Sequence, residues 1–151
     1  MFGIIFRDRR CKMKTLAMVV RQDAYDLVLT PLAFAYLGAE VYDEVNILFV
    51  NWAVRLLSKQ GVEALKPSAD HAGTPLDMIE EKVTAAGLPA DIHDIFKKLK
   101  ETGKVHLYGC SLAAKIFGVS ESDLIPEADG IVGATWFLTE KAEPASVFMQ
   151  Y

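Results

Sequence analysis

The sequence predicts an α/β protein, a three-layer α/β/α sandwich around a mainly parallel sheet of about five strands. Short continuous apolar segments alternate with longer segments of helical apolar spacing, which is typical of parallel strands joined by helices. The chain has 151 residues, enough for one domain with a full core. Its hydrophobic fraction of 52% fits strands buried on both faces, an apolar subunit interface, or both.

The N-terminal segment differs from the rest of the chain. Residues 1–14 carry five basic side chains and end beside a second methionine, Met13. They form either an ordered basic extension or a segment upstream of a translation start at Met13. A single domain is predicted over residues 15–151.

The first strand and helix follow directly. The apolar run at 15–20 predicts a buried parallel strand. Helical spacing over 24–37 predicts a helix that Asp23 caps and Gly38 ends. Pro31 within this segment predicts a kink or a first turn.

The second strand is predicted at 45–50, and Asn51 is a candidate cap for a helix at 52–57. Residues 58–75 are rich in glycine, proline and serine, which indicates a loop. Connections of this length are often functional lids or mobile inserts.

The remaining elements alternate in the same way. Helices are predicted at 76–86 and at 90–100, the second beginning near Asp91. A third strand at 105–108 is followed by a short helix that Gly118 ends. The other predicted elements are a turn at 120–124, a strand at 129–132, a helix at 133–141 and a last strand at 146–150.

Charge and hydropathy exclude several classes of protein. The net charge is −4 and no basic cluster follows residue 14, which argues against nucleic acid as a partner. The longest apolar stretch, 27–39, is interrupted and too short to span a membrane. The apolar run at 2–6 precedes its charges, unlike a secretion signal. Two cysteines fit a reducing compartment, so we expect a cytoplasmic protein.

Cys110 is the main candidate for chemistry. The carboxyl ends of parallel strands meet at one edge of the sheet, where ligands bind. Cys110 follows the third strand and precedes a helix, whose free N–H groups favour a thiolate. Gly109 permits a tight turn, and Ser111 offers a hydroxyl to a bound sulfur anion. The alternative is a buried structural cysteine. Cys11 has no CxxC partner and is interpreted as incidental.

Four further residues are candidate substrate ligands at this edge. Arg21 would supply positive charge to Cys110 if the first strand lies close to the third; otherwise it is a solvated surface residue. Asn51 and Trp52 would line the pocket, with a helix cap and a core aromatic as the alternatives. Thr135 follows the fourth strand.

A cysteine hydrolase is a further possibility. Asp70 and His71 lie together in the 58–75 segment and would complete a Cys–His–Asp set with Cys110. His93 and His106 are interpreted as structural. No pair of histidines or cysteines has metal-ligand spacing, and no nucleotide-binding glycine motif is present, so we expect neither metal nor cofactor.

The order of these motifs resembles a known family. The segments that carry the resemblance are 48–57 (LFVNWAVRLL), 87–91 (GLPAD), 105–119 (VHLYGCSLAAKIFGV) and 130–138 (GIVGATWFL). Together they resemble the DsrE/DsrF-like sulfur-relay family, most closely its peroxiredoxin-like DsrE branch. The resemblance covers residues 15–151.

The resemblance implies an α/β/α sandwich, assembly into homotrimers or homohexamers, and a cysteine that accepts sulfane sulfur. Cys110 alone carries over as a functional residue. Much of this branch has a methionine near the cysteine, where this chain has Leu112 and Ala113.

The function expected from these observations is sulfur transfer. Cys110 would take sulfur as a persulfide from a protein or small-molecule donor and pass it to a partner thiol, as a sulfurtransferase does, without a cofactor. A non-catalytic scaffold subunit is the main alternative and predicts a buried, inert Cys110. The hydrolase alternative requires His71 within hydrogen-bond reach of Cys110.

Overall fold

Five parallel strands form the sheet in a computed structural model that describes residues 12–151. Cys11 and most of the predicted N-terminal extension lie outside the described residues. The sheet order is β4-β3-β2-β1-β5, and every recorded pairing is parallel. The strands are β1 (Thr15–Val20), β2 (Glu44–Phe49), β3 (Val105–Cys110), β4 (Gly130–Val132) and β5 (Val147–Gln150).

Helices connect consecutive strands, as the alternating pattern predicts. They are α1 (Tyr25–Val41), α2 (Lys59–Glu63), α3 (Leu76–Ala85), α4 (Ile92–Glu101), α5 (Ser111–Phe117) and α6 (Ala134–Phe137). Short 3₁₀ segments occupy Asn51–Leu57, Ala69–His71 and Glu121–Asp123, and a π-helical turn, Leu138–Ala142, continues α6. In the described part of the chain, no helix has the length and apolar character needed to cross a bilayer.

One face of the sheet carries the larger apolar cluster. Side chains alternate along each strand, so Leu16, Met18 and Val20 all point to this face. Helices α1, α3 and α4 cover it, and the rings of Phe49 and Phe96 meet edge to face at 5.6 Å. This cluster fixes the positions of β1, β2 and β3 relative to one another.

The opposite face carries a smaller cluster. Ala17 and Leu48 project there from β1 and β2, and they join Cys110, Ala113 of α5 and Phe137 of α6. With helices on both sides of a five-stranded parallel sheet, the predicted three-layer α/β/α sandwich is confirmed.

Helix α1 continues past the glycine that was expected to end it. A side chain at Gly38 would place its Cβ atom 2.8 Å from a methyl group of Leu16, so the glycine permits close packing of the helix on β1. Pro31 also lies inside the helix, buried against the larger cluster. The sequence signal at Gly38 therefore reflects helix–sheet packing and not a helix end.

The segment 58–75, predicted as a loop, contains α2 and a 3₁₀ turn. Hydrogen bonds attach it to the start of α1. The Tyr25 N–H donates to the Lys66 carbonyl at 3.0 Å. The Ser68 N–H and hydroxyl both donate to the Asp26 carboxylate at 2.7 Å, and His71 Nδ1 lies 3.1 Å from the same carboxylate. Asp26 is thus the point at which this segment is attached.

The ionisation of Asp26 is coupled to this attachment. Burial by itself raises the pKa of Asp26, but the hydrogen bonds from Ser68 and His71 outweigh it and hold that pKa below its ordinary value. A carboxyl whose pKa is lower in the folded state contributes stability above its unfolded pKa. That contribution is lost as the pH falls through the folded pKa.

We therefore expect Asp26→Asn to lower the free energy of unfolding by about 1 kcal/mol at neutral pH, because hydrogen bonds to a charged acceptor are stronger than neutral ones. The difference from wild type should shrink as the pH falls below the ordinary carboxyl pKa of about 3.9. Urea unfolding at several pH values measures it. The matched control is Asp94→Asn, whose ion pair with Lys97 is solvent-exposed and contributes little. Equal losses in both variants would contradict the attachment role.

Candidate functional site

Cys110 is the last residue of β3, at the carboxyl edge of the sheet. It pairs in register with Val132 of β4, and the next residue begins α5. Gly109 precedes it where a Cβ atom would lie 3.3 Å from Val54, so a larger residue would press on the 3₁₀ segment that follows β2. The predicted position of Cys110 between a strand and a helix is found.

The Cys110 thiol is buried in an apolar environment. The residue is 6% exposed and packs in the smaller cluster with Ala113, Ala114, Val119 and Phe137. Among the described residues, no side-chain hydrogen bond involves its sulfur, and the cysteine is free of disulfides. A reagent must therefore pass a thin layer of surrounding atoms to reach the sulfur.

Two of the predicted ligands are exposed on the chain segments that follow β3 and β4. Ser111, the first residue of α5, and Thr135, in α6, are both exposed. Because β3 and β4 pair directly, the chain segments that follow them leave the sheet side by side. Ser111 is thus adjacent to Cys110 in the chain, and Thr135 lies three residues after Val132, the strand partner of Cys110.

The other three predicted ligands form a separate group. Arg21, Asn51 and Trp52 line a cleft of about 450 Å³ at the carboxyl ends of β1 and β2. Cys110 does not line this cleft. The condition for Arg21 to act on the thiol is not met, because β2 lies between β1 and β3 and separates them by about 10 Å.

Trp52 connects the two groups. Its side chain is 50% exposed, so it is not the core aromatic of the alternative interpretation, and its ring lies 4.3 Å from that of Phe117 in α5. Asn51 does not cap a helix. It adopts a left-handed conformation with φ of 50°, which asparagine tolerates better than most residues. This local geometry directs Trp52 outward.

Arg55 lies against Trp52, at the side of this cleft, and the sequence analysis missed it. Its guanidinium carbon lies 5.5 Å from the centre of the Trp52 ring, and its Nη1 atom lies 3.6 Å from the carboxylate of Asp23. Asp23 was expected to cap α1, but Ala24 occupies that position and no side chain caps it. The only sequence signal for Arg55 was its position three residues after Trp52, which places both on one side of a helical turn.

Gly61 packs directly against the backbone of Arg55, with no room for a side chain. A Cβ atom there would lie 1.8 Å from the Arg55 carbonyl oxygen. The same carbonyl accepts a hydrogen bond from the Ser58 hydroxyl at 2.8 Å. These contacts hold the 3₁₀ segment that presents both Arg55 and Trp52.

No histidine among the described residues is placed to act as a base for Cys110. His71 is held by Asp26 and Ser68 at the start of α1, on the opposite face of the sheet. His106 shares the face of Cys110, but it lies four residues earlier on β3, about 13 Å along the strand. The geometry required for a cysteine hydrolase is therefore not found.

Tyr108 lies two residues before Cys110 on β3 and therefore on the same face of the sheet. Burial, assisted by the negative charges of Asp129 and Glu44, raises the pKa of Tyr108 to about 12. Its ring packs edge to face on Trp136 at 5.4 Å. The phenol remains protonated at neutral pH and acts as a packing group under α6. Within residues 12–151, no three potential ligand side chains converge to hold a metal ion.

Comparisons with known proteins support the fold. No family model matches the chain, and no curated protein matches it. A conserved protein of unknown function from Bacteroides thetaiotaomicron, BT1422, is similar in structure, with a TM-score of 0.58 and 13% identity over 91% of this chain and 95% of that one. A protein of unknown function from Methanobacterium thermoautotrophicum, MTH1491, gives a TM-score of 0.56 and 11% identity over 90% of this chain and 98% of that one. At these identities the similarity is one of fold, and it extends over almost the whole of each chain.

Proposed function

We propose that the protein is a sulfur carrier that holds sulfane sulfur as a persulfide on Cys110. The observation that carries the proposal is the position of this cysteine at the end of β3, on the edge of the sheet where α/β proteins bind their ligands. The resemblance of the 105–119 segment to sulfur-relay proteins supports the same assignment.

The proposed chemistry is analogous to thiol–disulfide exchange, with a persulfide in place of the disulfide. The Cys110 thiolate attacks the outer sulfur of a donor persulfide, R–S–SH. A new S–S bond forms to Cys110 while the donor bond breaks, and the donor leaves as the thiolate R–S⁻. An acceptor thiolate then removes the outer sulfur in the same way and regenerates Cys110. The exchange needs no external oxidant.

The burial of Cys110 restricts which donors can react. With 6% of the residue exposed, a bulky thiol does not reach the sulfur without local opening, whereas a terminal sulfur atom is small. The apolar neighbours also exclude water, which protects a persulfide from side reactions. The exposed hydroxyls of Ser111 and Thr135 are the groups proposed to bind the incoming sulfur.

The cleft at the carboxyl ends of β1 and β2, which Trp52 connects to α5, is the proposed contact for the partner. Trp52 offers an exposed aromatic surface, and Arg21 offers positive charge. Tryptophan and arginine are the residues most often important in protein interfaces. A donor or acceptor protein bound there is positioned next to α5, which begins immediately after Cys110.

A scaffold subunit is the second candidate function. Leu112 and Ile116 project from the same side of α5 and are 65% and 64% exposed, next to the exposed ring of Trp52. An apolar surface of this kind favours assembly into the homotrimer or homohexamer that the family resemblance implies. In a scaffold, this contact would seal Cys110 and leave it unreactive.

The carrier role predicts a persulfide on Cys110. Reduced protein treated with a persulfide donor should gain one sulfur atom, about 32 Da, by intact-mass analysis. The gain should be lost in Cys110→Ala and retained in the matched control Cys11→Ala. An adduct that persists in Cys110→Ala would reject the carrier role. A wild-type thiol that reacts only after unfolding in urea would favour the scaffold.

Assembly through α5 predicts an effect of charge on this surface. The double variant Leu112→Lys, Ile116→Lys should be a folded monomer, because lysines in an apolar interface lose hydration without a partner charge. Light scattering at micromolar concentration measures the mass, and circular dichroism checks the fold. Met78→Lys, at an exposed apolar position on α3, serves as the control and should keep the wild-type mass. A monomeric wild-type protein would contradict assembly.

A further inference from the structure

An apolar groove lies on the face of the sandwich that does not contain Cys110. It runs between α1, the middle of α4 and the turn that joins α3 to α4, and its volume is about 380 Å³. This volume lies in the range of small-molecule sites, which are concave and mainly apolar. The apolar residues that line it are Leu29, Leu32, Ala33, Leu37, Leu88 and Ile95.

The groove remains open to solvent although its walls are apolar. Leu37 of α1 and Leu88 of the turn between α3 and α4 both line the groove and are 62% and 48% exposed. Gly87, with φ of 88°, turns the chain at the end of α3 so that Leu88 and Pro89 form the far wall. Exposed apolar surface on this scale is costly in water and commonly marks a binding site.

The groove contains one charged group, and it is positive. Lys98 lines the groove three residues after Ile95, on the same side of α4. Within residues 12–151 its ammonium group makes no ion pair, whereas the neighbouring Lys97 pairs with Asp94 at 2.8 Å. No aspartate or glutamate lines the groove. The charge of the site therefore complements an anion.

The shape of the groove favours a linear chain. Its α1 wall extends from Leu29 to Leu37, eight residues or about 12 Å along the helix axis. The wall is aliphatic, and Tyr36 adds a hydroxyl-bearing side chain at its edge. We propose that this groove binds a medium-chain fatty-acid carboxylate, with the alkyl chain along α1 and the carboxylate at Lys98.

Titration of the full-length protein with decanoate tests the proposal by calorimetry. Saturable binding with one site per chain is expected. Lys98→Met should weaken decanoate about fivefold, the range of a partly exposed ion pair, and should leave 1-decanol unaffected. Lys97→Met is the matched control, because its ammonium is held by Asp94 outside the groove, and its affinity for decanoate should equal that of wild type.

A series of chain lengths tests the alkyl contact separately. Affinity should rise about fourfold for each added methylene group from hexanoate upward, as burial of CH₂ groups predicts, and should level off once the chain exceeds the groove. Unsaturable binding, a series without a plateau, or equal affinity in Lys98→Met would overturn the proposal. So would binding that weakens as protein concentration rises, since that result would show a second copy of the chain occupying the groove.

Discussion

The pairing register of β3 between β2 and β4 is the constraint on which the arrangement around Cys110 depends. Strand residues alternate between the two faces, so Val105 and Leu107 enter the larger cluster, while Tyr108 and Cys110 enter the smaller one. A shift by one residue would exchange these sets and bring the thiol into the main core. Burial of β3 on both faces makes such a shift prohibitively unfavourable, and the thiol is held at one depth and at one edge.

The two sides of the sandwich differ in what they bury and what they expose. The smaller cluster holds the thiol close to α5, which carries exposed apolar side chains, so access to the sulfur and the proposed contact with a partner would involve the same few residues. The larger cluster provides rigidity and carries the open groove along α1. Chemistry at Cys110 and binding at Lys98 would therefore take place on opposite faces of one rigid sheet.

Much of the fold could be predicted from the sequence because local signals determine it. Apolar runs located the strands. The Asp91 carboxylate caps α4 by accepting hydrogen bonds from the N–H groups of His93 and Asp94, and Gly118 ends α5 in a left-handed conformation. Features of the site that depend on tertiary structure were not predictable. Strand order separates Arg21 from Cys110, and the ion pair of Asp23 with Arg55 replaces the expected cap. Neither the strand order nor this ion pair can be inferred from the spacing of residues in the sequence. The prediction that Gly38 ends α1 was wrong for the same reason, since the residue on which Gly38 packs, Leu16, lies on another element.

The position of β5 has a consequence for biosynthesis. It pairs with β1, joining Val147 to Leu16 across about 130 residues of intervening chain, a separation that slows formation of the contact. During translation the outer edge of β1 stays uncovered until the strand at 147–150 has left the ribosome. An unpaired strand edge is a template for association with other chains. Until this strand pairs, the open edge of β1 makes the chain prone to association, and truncation before Val147 would leave that edge permanently open.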